Sequence, residues 1–309
     1  MLNKIIFNGI YQKRGCASVF IHRRYSLNVN QKRMILRFLL LICFLFTTYT
    51  HAQDLKLRAR NGNAHTGSDF FKLISDSTLK IEKREKLIYR EIKKGNIPSF
   101  MRRFKQINYV DTINEKVYHL RFYVLPDFLC IGSDDDHCYI PMTPNLAQKV
   151  ATLTKCILPT KKISDIIYQN ATIKLIPQPI SPNKMMSTVP VFVNHNEIVT
   201  QQLGSFKKDS NTLIAGNKKD IIISKKIYGE DSPRVVIYGW HKPDGKAIQP
   251  VYNKHTSLWV DYSHGVRLVS NKAFLNDNLV TLTEILKDEK FSKILSDEGP
   301  IAKPYYPNK

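Results

Sequence analysis

The chain has 309 residues, 43% of them hydrophobic and 24% charged. That balance excludes a disordered or collagen-like polymer and suffices for a substantial core. Lys and Arg number 47 against 26 Asp and Glu, a formal charge of +21, but the basic residues are scattered among Ile and Asn. With no dense basic and aromatic stripe, the sequence does not read as a nucleic-acid binder.

The first signal lies at Lys32, Arg33 and Arg37, followed by the apolar run Phe38 to Phe46 and the small-residue stretch ending at Thr50 and Ala52. This order describes a secretory signal peptide over residues 34–52, cut to leave Gln53 as the new N-terminus. The run is about half the roughly 18 to 20 residues a membrane span requires, so cleavage is expected over retention as an anchor, and the mature chain has no transmembrane span. Residues 1–33 then read as an upstream extension of the frame with Met34 as the working start. A mitochondrial-type leader is the rival reading. Export, to the periplasm or beyond, follows.

Residues 53–67 are polar and aperiodic and are expected to be a flexible lead-in, with Ser68 capping the first helix of a single domain over residues 68–309. Glu82 to Lys94 carries Leu87, Ile88 and Ile92 at helical spacing and ends at Gly95. The period then shifts to aromatic and branched strands at Val117 to Leu125, Phe128 to Ile131 and Cys138 to Met142. Thr143-Pro144 and Thr160 each cap a helix, the second with Ile163, Ile166 and Ile167 on its buried side. Met185 to Leu203 reads as helical with Pro190 early or at a kink.

The last third returns to strands, including Arg234 to Tyr238, Ala247 to Val251, Leu258 to Val260 and Val266 to Val269. Pro243-Asp244-Gly245 makes a hairpin turn between the first two of these, and a helix at Thr281 to Lys287 closes the fold. Helices and strands alternate without a βα repeat, so the fold class is α+β, a single domain with a mostly antiparallel sheet and flanking helices.

Four blocks span nearly all of the mature chain: Glu91 to Phe100; Pro141-Met142-Thr143-Pro144 leading into Leu158-Pro159-Thr160; Tyr238-Gly239-Trp240-His241-Lys242-Pro243-Asp244-Gly245; and Val260-Asp261-Tyr262-Ser263-His264-Gly265-Val266-Arg267-Leu268-Val269. Together they resemble an uncharacterised family of exported bacterial proteins. The resemblance implies export and a single folded unit, and it assigns no residue a catalytic role.

Chemistry is read from residue types alone. Between His241 and His264 stand two further candidates, His255 and Asp261, among Trp240, Trp259, Tyr262 and Ser263. Imidazole and carboxylate can move protons, while flat rings bind sugars or peptides. The expected catalytic set is His241, Asp261 and His264, and the expected substrate contacts are Trp240, Trp259, Tyr262 and Arg267. The long, irregular His spacing matches no familiar zinc motif, so no metal and no cofactor is assigned. In an extended strand His264 points away from Asp261 and Ser263, so the constellation requires a break near Tyr262 or Gly265.

Asp134-Asp135-Asp136-His137 reads as a solvated turn rather than a calcium loop, because the alternating acidic pattern is missing. Lys218-Lys219-Asp220 reads as an exposed strand start rather than an anion site. Of Cys130, Cys138 and Cys156, the first two are expected to form a disulfide across neighbouring strands, with Cys156 an alternative partner. The leading functional expectation is an exported hydrolase of envelope or extracellular polymer. The alternative is a non-catalytic glycan- or polyanion-binding envelope protein, and a third reading is an envelope scaffold.

Overall fold

The computed structural model describes residues 54–209 and 211–307, with residues 30 and 34 as isolated positions. The chain divides into two compact units, Met1–His51 and Ala52–Lys309, and the account below concerns the second. The upstream extension and the signal segment lie outside the described residues. Among the described residues no helix is long and apolar enough to cross a membrane.

The unit is α+β. Helices α1 (Gly67–Ile74) and α2 (Ile81–Lys93) precede a hairpin of two nine-residue strands, β1 (Lys105–Ile113) and β2 (Lys116–Val124). There follow β3 (Cys130–Gly132), β4 (His137–Tyr139), α3 (Pro144–Leu153), β5 (Cys156–Ile157), α4 (Lys161–Asn170), β6 (Ile173–Lys174) and α5 (Val189–Gly204). The last third holds β7 (Ile214–Ala215), β8 (Lys219–Ile221), β9 (Ile237–His241), β10 (Ala247–Tyr252), β11 (His264–Gly265), β12 (Val269–Ser270), β13 (Lys272–Leu275), β14 (Asn278–Thr281) and α6 (Leu282–Lys287). One sheet runs β14-β13-β2-β12-β5 with β1 also on β2, and a second runs β10-β9-β8-β11. Every pairing is antiparallel except β6 with β7 and β8 with β11.

The caps show how sequence dictates these boundaries. Thr143 accepts from Leu146 N and Thr160 from Ile163 N, each satisfying a helix-end donor that would otherwise be orphaned. Thr281 and Glu284 form a reciprocal capping box on α6. Pro190 falls in the first turn of α5, where a missing N–H costs nothing. On α4 the residues Ile163, Ile166 and Ile167 are buried, and the helix packs on β9. Burying three such side chains stabilises the contact by about 1.5–3 kcal/mol each.

Several expectations change. The cap of α1 is Thr66, which accepts from Asp69 N, and Ser68 lies inside the helix, where its N–H and hydroxyl donate to Asp136. Residues 54–66, expected to be a flexible lead-in, are tied down: Leu55 is buried and donates to Arg102 O, while Arg60 donates to Asn96 Oδ1 and to the Ala64 carbonyl. Leu258 to Val260 forms no strand, and of Val266 to Val269 only Val269 pairs.

The expected Cys130–Cys138 bridge is absent, and Cys130, Cys138 and Cys156 are buried free thiols. On the β3–β4 hairpin Cys130 faces Tyr139 while Cys138 faces Ile131, so the two sulfurs lie on opposite faces. Cys138 joins the main core, and Cys130 joins a smaller one with Phe128, Tyr139, Ile173 and Leu175. Burial raises the Cys130 and Cys138 thiols and pushes Cys156 up to about 12, leaving none poised as a nucleophile.

Candidate functional site

The site is organised by a kink in β9. A regular strand alternates faces, which would set Tyr238 and His241 on opposite sides. Here Gly239 has φ 104° and Trp240 has φ 57°. A left-handed backbone at a bulky Trp is costly and persists only where surrounding contacts enforce it. The kink turns Tyr238 and His241 toward the same partner, Asp165 of α4. Tyr238 Oη donates to Asp165 Oδ1 at 2.6 Å, and His241 Nε2 donates to the same oxygen at 2.8 Å.

Lys161, one turn earlier on α4, contacts the other oxygen, Asp165 Oδ2, at 2.9 Å and also reaches Asp297 at 2.9 Å. Burial alone would raise the Asp165 carboxyl. The hydrogen bonds from His241, Tyr238 and Lys161 outweigh it and hold the group below its ordinary value, so Asp165 is an ionised acceptor. The imidazole is stacked on Tyr168, with centroids 4.5 Å apart and planes 17° from parallel. With the Nε2 proton assigned to Asp165, Nδ1 is the basic atom. It forms no hydrogen bond and is not among the sealed polar atoms.

His241 and Asp165 line an open cleft of about 750 Å³, together with Tyr168, Lys174, Tyr238, Pro243, Lys246 and Pro250. Tyr and Pro faces supply flat apolar surface, and Lys174 and Lys246 are matched by the carboxylates of Asp165 and Asp244. Asp220 lies beneath: its Oδ2 and the His241 ring both come within about 3.5 Å of where a Cβ on Gly239 would sit. Burial raises the Asp220 carboxyl from 3.8 to about 6, against the pull of Arg267 and His241.

The other expected residues assemble elsewhere. A turn at Tyr262–Ser263, in which His264 N donates to Asp261 O at 3.1 Å, breaks the extended run and brings His264 Nε2 to 3.8 Å from Asp261 Oδ2. Asp261 Oδ1 accepts from Ser263 N at 2.8 Å and Ser263 Oγ at 2.5 Å. Burial lowers His264 and keeps it neutral, and neither ring nitrogen has a hydrogen-bond partner. Asp261 is therefore the neighbour of His264 and not of His241.

Trp240 and Tyr262 are buried, and the Tyr262 hydroxyl accepts from Ile180 N at 2.7 Å, so neither offers a face to a ligand from solvent. Arg267 is also internal: its guanidinium donates to the Leu125 and Ile214 carbonyls and lies 4.2 Å from the Phe128 ring centroid. Trp259 remains partly exposed and stacks on His255 at 4.6 Å.

Lys218 corrects the exposed strand start: it is fully buried, donating to Tyr262 O at 2.7 Å and His195 Nδ1 at 2.9 Å. Burial lowers Lys218 to about 7, and burial together with the Lys218 charge lowers His195 to about 3. The acidic turn serves structure, since Asp134 accepts from Ser99 N and Oγ while Asp136 accepts from Ser68. Among the described residues no three His, Cys, Asp or Glu side chains are grouped as metal ligands.

Sequence reasoning missed Asp165. Its only signal is the i,i+4 pair with Lys161 on a capped helix, a pattern shared by ordinary solvated faces. Searches of protein-family models, curated proteins and solved structures return no match to this chain.

Proposed function

We propose that the protein is an exported hydrolase of envelope or extracellular polymer, with His241 as general base and Asp165 as the group that fixes its tautomer. The observation that carries this reading is the 2.8 Å hydrogen bond from His241 Nε2 to an ionised Asp165 at the wall of an open cleft, with Nδ1 left unbonded. In that arrangement Nδ1 takes a proton from a water as its oxygen bonds to the electrophilic carbon of the substrate. The imidazolium, stabilised by Asp165, then returns the proton to the leaving heteroatom as its bond breaks. Tyr168, Tyr238 and the prolines favour a polymer with flat apolar faces.

The runner-up is a non-catalytic binding module. The partly exposed Trp259 on His255 and the tyrosine-lined cleft favour it, because rings in an open groove bind glycan without chemistry. Purified protein offered peptidoglycan, acidic polysaccharide and neutral polysaccharide separates the two. The hydrolase reading expects new reducing ends or free amines from at least one polymer, reduced on the order of 10²-fold or more by Asp165→Asn. Saturable binding without product would replace it with the binding module.

A further inference from the structure

A second cleft, of about 520 Å³, lies where the end of α3, the β12–β13 turn, the cap of α6 and the C-terminal segment meet. Its charges are of one sign: Lys155 and Lys272 border it, with no Asp or Glu among the described residues of the lining. Both lysines are exposed, and their ammonium groups make no hydrogen bond and no ion pair among the described residues. The carboxylate just outside, Glu284, is already engaged by the Thr281 hydroxyl at 2.7 Å, the Thr281 N–H at 3.0 Å and the Lys287 charge. Asn271 N donates to Lys155 O at 3.2 Å and Lys272 follows Asn271 in the chain, so the two cations flank that residue.

Two carboxamides of the same lining are locked in orientation. Asn271 Oδ1 accepts from Thr283 N at 3.0 Å and Thr283 Oγ1 at 2.9 Å, and Gln148 Oε1 accepts from Tyr306 N at 3.0 Å. A backbone N–H can only donate, so the amide atom facing it is the oxygen, and each NH₂ is turned the other way. Asn271 Nδ2 has no hydrogen-bond partner among the described residues and is not sealed from solvent. Gln148 Nε2 makes only a 3.4 Å contact with Thr152 Oγ1. Lys155 itself has φ 57° directly after the α3 cap Thr154, where glycine would escape a cost of about 1–2 kcal/mol for left-handed backbone. A lysine stands there instead and borders the cleft.

Ammonium and amide donors with no carboxylate among them fit an oxyanion, and the exposed ring of Tyr305 on the same cleft fits the apolar face of a sugar. We propose that this cleft binds an acidic saccharide, its carboxylate or phosphate held by Lys155, Lys272 and the Asn271 amide and its ring lying on Tyr305. The site is separate from the His241 cleft and does not rest on the hydrolase reading, because its test measures no turnover.

Full-chain protein labelled with ¹⁵N is titrated at constant ionic strength with sodium glucuronate, with glucose 6-phosphate, and with glucose and sodium chloride as controls. The Asn271 NH₂ resonances are the pair missing from the spectrum of Asn271→Asp. A saturable shift of that pair with glucuronate or glucose 6-phosphate is expected, and the more effective sugar identifies the anionic group. The double variant Lys155→Gly, Lys272→Met should weaken the response at least tenfold while melting no lower than the native chain, since glycine suits the backbone at position 155. Lys272→Gln alone serves if the double variant does not fold. No saturable shift with either acidic sugar, an equal shift with glucose or chloride, or an undiminished response in the folded lysine variant would overturn the assignment.

Discussion

Burial of Asp220 carries a cost that pH exposes. The residue is enclosed beneath the site, one of its oxygens lacks a hydrogen bond, and its pKa is raised from 3.8 to about 6. A raised acid binds protons more tightly in the folded state, so its contribution to stability falls as pH rises from 3.8 to about 6. The cost is absent below that window and complete above it. The shift corresponds to about 3 kcal/mol. Asp220→Asn should therefore gain stability relative to the native chain by up to about 3 kcal/mol more at pH 7 than below about pH 4. Denaturant unfolding across that range measures the difference, and a pH-independent difference would show that Asp220 does not titrate there.

His241 was legible as a candidate from residue type, as one of several imidazoles in a stretch that also holds Asp261 and aromatic rings. Its partner was not, since 76 residues separate Asp165 from His241. Local spacing holds no record of a contact made by packing α4 on β9. Trp240, Tyr262 and Arg267 were misread for the opposite reason: residue type suggested a ligand contact, and only the fold shows that their polar atoms face inward.

Among the elements, β9 supplies both ring contacts to Asp165. Its kink requires left-handed backbone at two successive positions, and Gly239 takes the more open of them without a Cβ penalty. A methyl there would meet His241 Cε1 at 3.4 Å and strain the backbone at φ 104°. Gly239→Ala should cost about 1–3 kcal/mol in unfolding and also displace the ring from Asp165. The NMR signature is loss of the slowly exchanging His241 Nε2 proton; retention of that proton with native stability would contradict the kink's role.

Helices with Thr caps and apolar faces were readable because their signals are local, as Thr143 and Thr160 show. The β1–β2 and β13–β14 hairpins were not. Their turns, Asn114-Glu115 and Asn276-Asp277, adopt φ of 48° and 64° without glycine, so the usual turn signal is missing.

Across the second unit, the sheets and helices set the buried imidazole of His241 at the wall of a cleft and enclose that of His264 in the interior. The α+β class and antiparallel pairing followed from period changes along the chain, whereas the pairing of β8 with β11, which sets Lys219 against His264, depends on long-range topology. The central claim concerns the cleft: His241 supported by Asp165 moves the proton. The direct measurement is the initial rate of product release from the cleaved polymer by the native chain and by His241→Ala, each confirmed folded by circular dichroism and thermal melting. A fall of about 10²- to 10⁴-fold in kcat with folding retained is the expected result. An undiminished rate in the folded variant would contradict it.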